Sequence, residues 1–145
     1  MNKKIVFTAF SAFLLISCSS NIEPPEEESL QSNEQEITSL KIENLLRDSL
    51  ALREGVEVIM SYLEMPKETT LPTHYHPGEE FVYMLHGSGE LSLKDQSKVI
   101  VKSGDVVKVP LKQVHSFSTL DESAKAVVFR VHEKGQPDRI LIEDD

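Results

Sequence analysis

Alternating apolar and polar residues dominate the chain from Val56 onwards, and turn residues such as Gly87-Ser88-Gly89 and Ser103-Gly104 interrupt the pattern. Successive side chains of an extended strand point to opposite faces, so this period predicts β-strands with one buried face. The predicted strands are Val56–Met65, Leu71–His76, Glu80–Leu85, Glu90–Leu93, Lys98–Val101, Val106–Val109, Val114–Ser118, Ala124–His132 and Ile140–Ile142. Many short strands without a long helical run predict an all-β barrel or sandwich.

The segment Lys41–Leu52 fits neither the helical nor the strand period cleanly, which leaves a helix and an irregular strand both open. The chain has 145 residues and shows no internal repeat. This length supports a single domain.

Two histidines and a glutamate are spaced so that alternation brings them together. His74 and His76 share one face of a strand, Pro77 and Gly78 can turn or bend the chain, and Glu80 begins the next strand. The carboxylate thereby returns to the side of the two imidazoles.

A second segment adds one more imidazole. Gly104 precedes a short strand, Pro110 marks a turn, and His115 follows on another strand. Three imidazoles and one carboxylate suit one divalent iron, manganese, nickel, copper or zinc ion. Four protein ligands on a six-coordinate ion would leave two positions for an exchangeable ligand.

These two segments resemble the two motifs of the cupin superfamily, in its small single-domain form, over roughly Glu68 to Thr119. The resemblance implies a small antiparallel β-barrel, a jelly-roll-like double-stranded β-helix, and it favours a strand over 41–52. It also implies one metal ion, bound by His74, His76, Glu80 and His115. Departures from the family pattern, Glu68 and Lys112 in place of glycines and Thr119 in place of asparagine, lie outside these positions. A degenerate cupin without metal is the alternative.

Four further residues are candidates for the lining of the site: Val82, Met84, Phe117 and Arg130. The three apolar ones share strand parity with the ligands, although plain core packing explains them equally well. Arg130 could hold a substrate carboxylate if it points inward, but the sequence favours a solvated surface charge. For His86 and His132 a structural polar role is favoured over ligation.

The N-terminus resembles that of a bacterial lipoprotein. Lys3 and Lys4 precede the apolar run 5–16, and Leu15-Ile16-Ser17-Cys18 resembles a lipobox. This predicts a signal peptide over 1–17, cleavage before Cys18 and a lipid anchor on its thiol. The predicted location is the cell envelope, on the periplasmic or outer-membrane side. Cys18 is the only cysteine, so no disulfide or metal-binding thiolate is expected within the domain.

Residues 18–40 are acidic and predict a disordered tether, which leaves 41–145 for the single domain. The formal charge of −9 becomes −11 once Lys3 and Lys4 are removed, which disfavours nucleic-acid binding. Membrane attachment would therefore depend on the lipid. The sequence is compatible with a homodimer.

The predicted function follows from the site and the location. No nicotinamide or ATP pool exists outside the cytoplasm, and no glycine-rich phosphate loop is present, so a metal-only reaction is favoured. The leading hypothesis is a metal-dependent dioxygenase, isomerase or lyase acting on a small oxygen-rich molecule such as a sugar acid or carboxylate. The alternatives are a non-catalytic module that binds such a ligand or the metal, and a structural envelope protein.

Overall fold

The structure, a computed structural model, describes residues 36–142, so the predicted signal peptide, Cys18 and most of the predicted tether lie outside the described residues. Within 36–142 the chain forms strands and no helix, which confirms the all-β class. This range accordingly contains no helix long and apolar enough to cross a membrane. The strands are β1 (Lys41–Ser49), β2 (Val56–Met65), β3 (His74–Tyr75), β4 (Gly78–His86), β5 (Ser88–Leu93), β6 (Val99–Lys102), β7 (Val106–Val109), β8 (His115–Thr119), β9 (Ala124–Glu133) and β10 (Ile140–Leu141).

The strands form two five-stranded antiparallel sheets. One has the order β1-β2-β9-β4-β7, and the other has the order β10-β3-β8-β5-β6. Side chains of both sheets contribute to one apolar core: Leu63, Met65, Leu71, Met84, Leu91, Val101, Ala124, Ala126 and Val128. Each sheet keeps its own edges, so the predicted barrel is a two-sheet jelly roll rather than one closed sheet.

The register of β2, β9 and β4 arranges their inward-facing residues in four cross-strand rows. From one end to the other these are Glu57–His132–Gly78, Ile59–Arg130–Glu80, Ser61–Val128–Val82 and Leu63–Ala126–Met84. Charged and imidazole side chains occupy four of the six positions in the first two rows, the exceptions being Gly78 and Ile59. From the third row onwards the inward residues are apolar except for Ser61, so the interior is polar at one end and apolar at the other.

Strand β1 lies within residues 41–52, the segment whose apolar pattern fitted neither a helix nor a regular strand. This strand lies at the edge of its sheet and is exposed along its whole length. A bulge between Asn44 and Leu46 shifts the register with β2. A bulge breaks the two-residue alternation, which explains why neither period fitted the sequence.

The predicted strand Leu71–His76 is shorter in the structure, where only His74 and Tyr75 form β3. Pro72 lies in the missing part. Proline has no backbone N–H to donate to a sheet ladder, so the strand begins after it.

Gly78 allows β4 to run close to β9 beside the site. A Cβ atom on Gly78 would lie 2.2 Å from Cβ of His132 and 2.3 Å from the carbonyl oxygen of Val131. Only a residue without a side chain permits this approach. It fixes the start of β4, and thereby the position of Glu80 two residues further on.

Candidate metal centre

Three buried histidines meet between the two sheets. His74 and His115 are directly opposed on β3 and β8, and His76 follows β3 immediately. One ring nitrogen of each residue lies within 4.8 Å of those of the other two, so the three side chains could hold one metal ion. The predicted alternation accounts for His74 and His76, and the pairing of β3 with β8 brings His115 to them.

Backbone carbonyl groups fix the orientation of all three rings. The Nδ1–H of His74 donates to the carbonyl of Pro72 at 2.7 Å, that of His76 to Asp138 at 2.6 Å, and that of His115 to Gln113 at 2.8 Å. A carbonyl oxygen can only accept, so Nδ1 carries the proton in each ring. Each neutral imidazole therefore has its lone pair on Nε2, the arrangement expected of metal-binding histidines.

The carboxylate of Glu80 lies against two of these nitrogen atoms. Its Oε2 is 2.9 Å from Nε2 of His76, and its Oε1 is 3.6 Å from Nε2 of His115. Within the described residues, Nε2 of His76 has no hydrogen-bond partner although it is buried. A neutral Nε2 and a carboxylate oxygen are both acceptors and repel each other at this distance unless a cation lies between them. Three imidazoles and one carboxylate thus fit a divalent ion.

Burial and charge set the protonation of these ligands. Burial lowers the pKa of the His74 imidazole to about 4, which keeps it neutral at neutral pH. Burial alone would raise the pKa of the Glu80 carboxyl, but hydrogen bonds and charge attraction from His115 and His76, when these rings are protonated on Nε2, outweigh it and hold that pKa well below its usual range. The cluster therefore combines a neutral imidazole with an ionised carboxylate, both in the forms that bind metal.

Arg130 points into the interior, so the preferred interpretation of a solvated surface charge is wrong. It is 6% exposed; its Nη1 donates to the carbonyl of Asp138 at 3.1 Å and its Nη2 to the hydroxyl of Ser61 at 2.8 Å. Its Nε lies 4.0 Å from Oε2 of Glu80 and has no hydrogen-bond partner in the described part of the chain. Burial lowers the pKa of its guanidinium. The signal was available, because Arg130 continues the inward phase of Ala126 and Val128.

Asp138 is a site residue that the sequence did not reveal. Its carbonyl accepts from both His76 and Arg130, and its carboxylate accepts from Arg47 and, at 3.4 Å, from Asn44. Burial would raise the pKa of Asp138, but the hydrogen bond from Arg47 lowers it below its usual value. No local motif marks this role, since it depends on a backbone atom and on a distant edge strand.

His132 is buried rather than a surface group, and it keeps the structural role expected of it. Its Nε2 lies 3.1 Å from Oε1 of Glu57, and that oxygen accepts a hydrogen bond from Nη1 of Arg47 at 2.7 Å. Burial lowers the pKa of the His132 imidazole. His86 ends β4 opposite Lys125, just past the bulge that follows Met84, and belongs to neither the histidine cluster nor the cavity beside it.

A cavity of about 300 Å³ extends from the histidine cluster between the two sheets. Arg130, Asp138 and Arg139 line its polar end together with the cluster, and Ile42 and Asn44 of β1 line it as well. The structure places all four candidate lining residues on its wall: Val82, Met84, Phe117 and Arg130. The volume lies at the small end of the range for ligand pockets, about 300–1,000 Å³.

Comparison with known proteins assigns the fold. Residues 61–132 match the family model described as the cupin domain. The matched range contains the three histidines, Glu80 and Arg130. No curated protein sequence matches the chain.

Several solved structures share the fold. DMSP lyase DddQ from Ruegeria pomeroyi DSS-3 is 21% identical with a TM-score of 0.60, over 70% of this chain and 51% of the lyase, so the chain spans about half the length of that protein. An RmlC-like cupin family protein from Methanocaldococcus jannaschii is 18% identical with a TM-score of 0.58, over 69% of this chain and 86% of that one. The polyketide cyclase RemF from Streptomyces resistomycificus is 22% identical with a TM-score of 0.53, over 74% of this chain and 84% of the cyclase.

Acid should destabilise the metal-free protein through His74. Its pKa falls from 6.5 to about 4 on folding, so the unfolded chain binds more protons between these values and stability declines as the pH falls through them. Between pH 7 and pH 5 this group should remove about 2 kcal/mol from the free energy of unfolding. Urea denaturation of chelator-treated protein measures the loss. His74→Gln should show a correspondingly smaller pH dependence, and an unchanged dependence would contradict the assignment.

Loss of the Asp138 carboxylate should weaken metal binding, although Asp138 offers the site only its carbonyl. Asp138→Ala removes the contact between residue 138 and Arg47, so the backbone around residue 138 is less firmly placed. The carbonyl of residue 138 then holds the His76 ring less firmly, and we expect about tenfold lower metal affinity. Competition with a chromophoric chelator measures this affinity. Asp121→Ala removes an exposed carboxylate in a turn and serves as the control. Equal affinities in the two variants would show that Asp138 does not position His76.

Proposed function

We propose that this chain, in which residues 61–132 match the cupin domain model, is a metal-dependent enzyme that acts on a small oxygen-bearing molecule such as a carboxylate. One observation carries the proposal: three Nε2 atoms and the Glu80 carboxylate converge in a buried position, where a bound metal ion would use all four as ligands and relieve the repulsion between them. The assignment of Glu80 as the fourth ligand belongs to this proposal. The identity of the ion, among iron, manganese, nickel, copper and zinc, is decided by measurement rather than by the donor set.

The residues around the cluster have distinct roles in this proposal. The three histidines and Glu80 hold the ion, and a bound divalent ion polarises a ligand oxygen and lowers the pKa of a coordinated water. The unpaired Nε–H of Arg130 faces the same end of the cavity and would donate to a ligand carboxylate. Ser61 and the Asp138 carbonyl fix the guanidinium in place. The burial of the three histidines and Glu80 would limit the access of water to a bound ion.

Catalysis is supported by the open side of the cluster. A metal ion that only stabilises a fold is usually enclosed by protein ligands, whereas this cluster adjoins a cavity of about 300 Å³. A DMSP lyase and a polyketide cyclase share the fold, which supports an enzyme without identifying the reaction.

The second candidate is a non-catalytic binding module. It is favoured because, within residues 36–142, the cavity has no acidic group that is free to transfer a proton. Besides Glu80, the carboxylate that lines the cavity is that of Asp138, and Arg47 and Asn44 already engage it. General acid–base catalysis needs a proton-transfer group that is free to reach the substrate. If Glu80 is bound to the metal, the cavity binds a ligand more readily than it transforms one.

Metal analysis and turnover separate these candidates. We expect wild-type protein to retain one metal ion per chain and His76→Ala to lose most of it, because the change removes one ligand while apolar packing preserves the fold. Tyr75→Phe, a change between the two histidines, should retain the metal. Elemental analysis and circular dichroism measure both properties.

The loaded protein is then incubated with hydroxy acids, uronates and phenolics, with and without dioxygen. Turnover that disappears in His76→Ala and after chelation supports the enzyme. Saturable binding without chemical change supports the binding module. A metal content in wild type no higher than in His76→Ala rejects the metal-dependent enzyme.

We further infer that the protein is a lipid-anchored component of the cell envelope, with Cys18 as the acylated residue and residues 18–40 as a tether. This inference is supported by the first eighteen residues, in which two lysines, an apolar run and a lipobox-like tetrapeptide follow one another. Homodimerisation stays open.

Replacing Cys18 by serine should release the protein from membranes. The several acyl chains of a bacterial lipoprotein anchor stably, whereas the serine variant has no thiol to carry them. Fractionation of cells labelled with a radioactive fatty acid measures both properties. Unlabelled wild-type protein in the soluble fraction would contradict the anchor.

A further inference from the structure

Polar and apolar residues occupy opposite ends of the cavity. At the end beside the histidine cluster the lining includes Arg130 and Asp138. Away from the cluster the register replaces them by apolar residues in successive rows. These apolar lining residues are Leu63, Leu71, Val82, Met84, Leu91, Val101, Val107, Phe117 and Val128.

Three of these apolar residues are incompletely packed, which shows that protein side chains do not fill the space beside them. Val82, Val107 and Phe117 occupy inward-facing positions, yet each keeps an intermediate exposure and only partly packs against the core. Val109, which follows Val107 on the same face of β7, is fully buried at 2% exposed. Apolar side chains that border open space lose contacts with neighbouring atoms, and an apolar ligand would supply them.

We propose that the ligand of this site is an amphipathic acid, with a carboxylate at the metal and Arg130 and an apolar body between Val82, Val107 and Phe117. This inference rests on the proposed function and specifies its substrate class. It excludes the sugar acids considered from the sequence. A sugar acid carries a hydroxyl on nearly every carbon, and the apolar walls offer those hydroxyls no partners.

The length of the apolar body follows from the size of the cavity. A volume of about 300 Å³ suits a ligand of modest size rather than a long lipid chain. Ser61 is the sole inward polar residue in the third cross-strand row, and its hydroxyl is engaged by Arg130 and Asn44. The polar contacts available to a ligand therefore lie at one end.

Isothermal titration calorimetry with zinc-loaded protein tests the inference directly. Hexanoate and gluconate share a six-carbon chain and one carboxylate but differ in hydroxyl groups. We expect hexanoate to bind at least about tenfold more tightly than gluconate, and about fifteenfold more tightly than butyrate, at roughly fourfold for each of two methylenes. 1-Hexanol, which has no carboxylate, should bind more weakly than hexanoate. Tighter binding of gluconate, or no binding of hexanoate, would overturn the inference.

A matched pair of variants locates the apolar body. Val107→Thr places a hydroxyl on the cavity wall, whereas Val106→Thr makes the same change on the exposed face of β7, where Val106 is 68% exposed. Hexanoate affinity should fall about fivefold in the first variant and stay unchanged in the second. Equal affinities would place the apolar body elsewhere and contradict the inference. Both variants keep a β-branched residue in the strand, so both should fold.

The same titration with chelator-treated protein separates this inference from the proposed function. If wild-type protein binds no metal but still binds hexanoate with the expected dependence on chain length and on Val107, the amphipathic site stands and the metal-dependent function fails. If zinc binds normally and gluconate is preferred, the metal site stands and the amphipathic ligand is rejected.

Discussion

The repulsion between the Nε2 lone pair of His76 and the carboxylate of Glu80 is the constraint on which the site depends. The two acceptor atoms are held 2.9 Å apart in a buried position, and neither can turn away easily. The His76 ring is fixed by its Nδ1–H, which is bonded to the carbonyl of Asp138. Glu80 is fixed by the pairing of β4 with both β7 and β9. A cation at this position converts a costly arrangement into a favourable one, and metal binding is therefore expected to stabilise the folded state.

The residues that hold these groups in place come from distant parts of the chain. Asp138 lies 62 residues from His76 and is held by Arg47 on the exposed edge strand β1. Strand β1 and the segment before β10 thus contribute to the site although neither provides a ligand. Truncating the domain at β1 would remove Arg47 and Asn44 and leave the Asp138 carboxylate without its partners. The boundary of the functional unit is consequently wider than residues 61–132, the range that matches the cupin family.

Sequence periodicity predicted the parts of this molecule that depend on alternation. It located most strands and brought His74, His76 and Glu80 to one side, because strand geometry alone determines which face a residue occupies. It failed where long-range pairing decides the outcome. The bulge in β1 disrupts the local pattern, and the role of Asp138 depends on a carbonyl group that every residue possesses. Arg130 was misjudged for another reason: the low frequency of buried arginine was given more weight than the inward phase of Ala126 and Val128 on β9.

The same register that gathers the ligands also determines the chemistry of the cavity. The two strands that contribute polar groups to the row of Glu80 and Arg130 carry apolar residues two and four positions away, namely Val82 and Met84 on β4 and Val128 and Ala126 on β9. These residues are needed in any case, because the two sheets must bury an apolar face against each other. A ligand that reaches beyond the metal therefore meets the inner surface of the core, and its apolar part is selected by the packing that stabilises the fold. Arg130 stands at the boundary between the two regions, with one donor nitrogen still unpaired and directed towards the polar end.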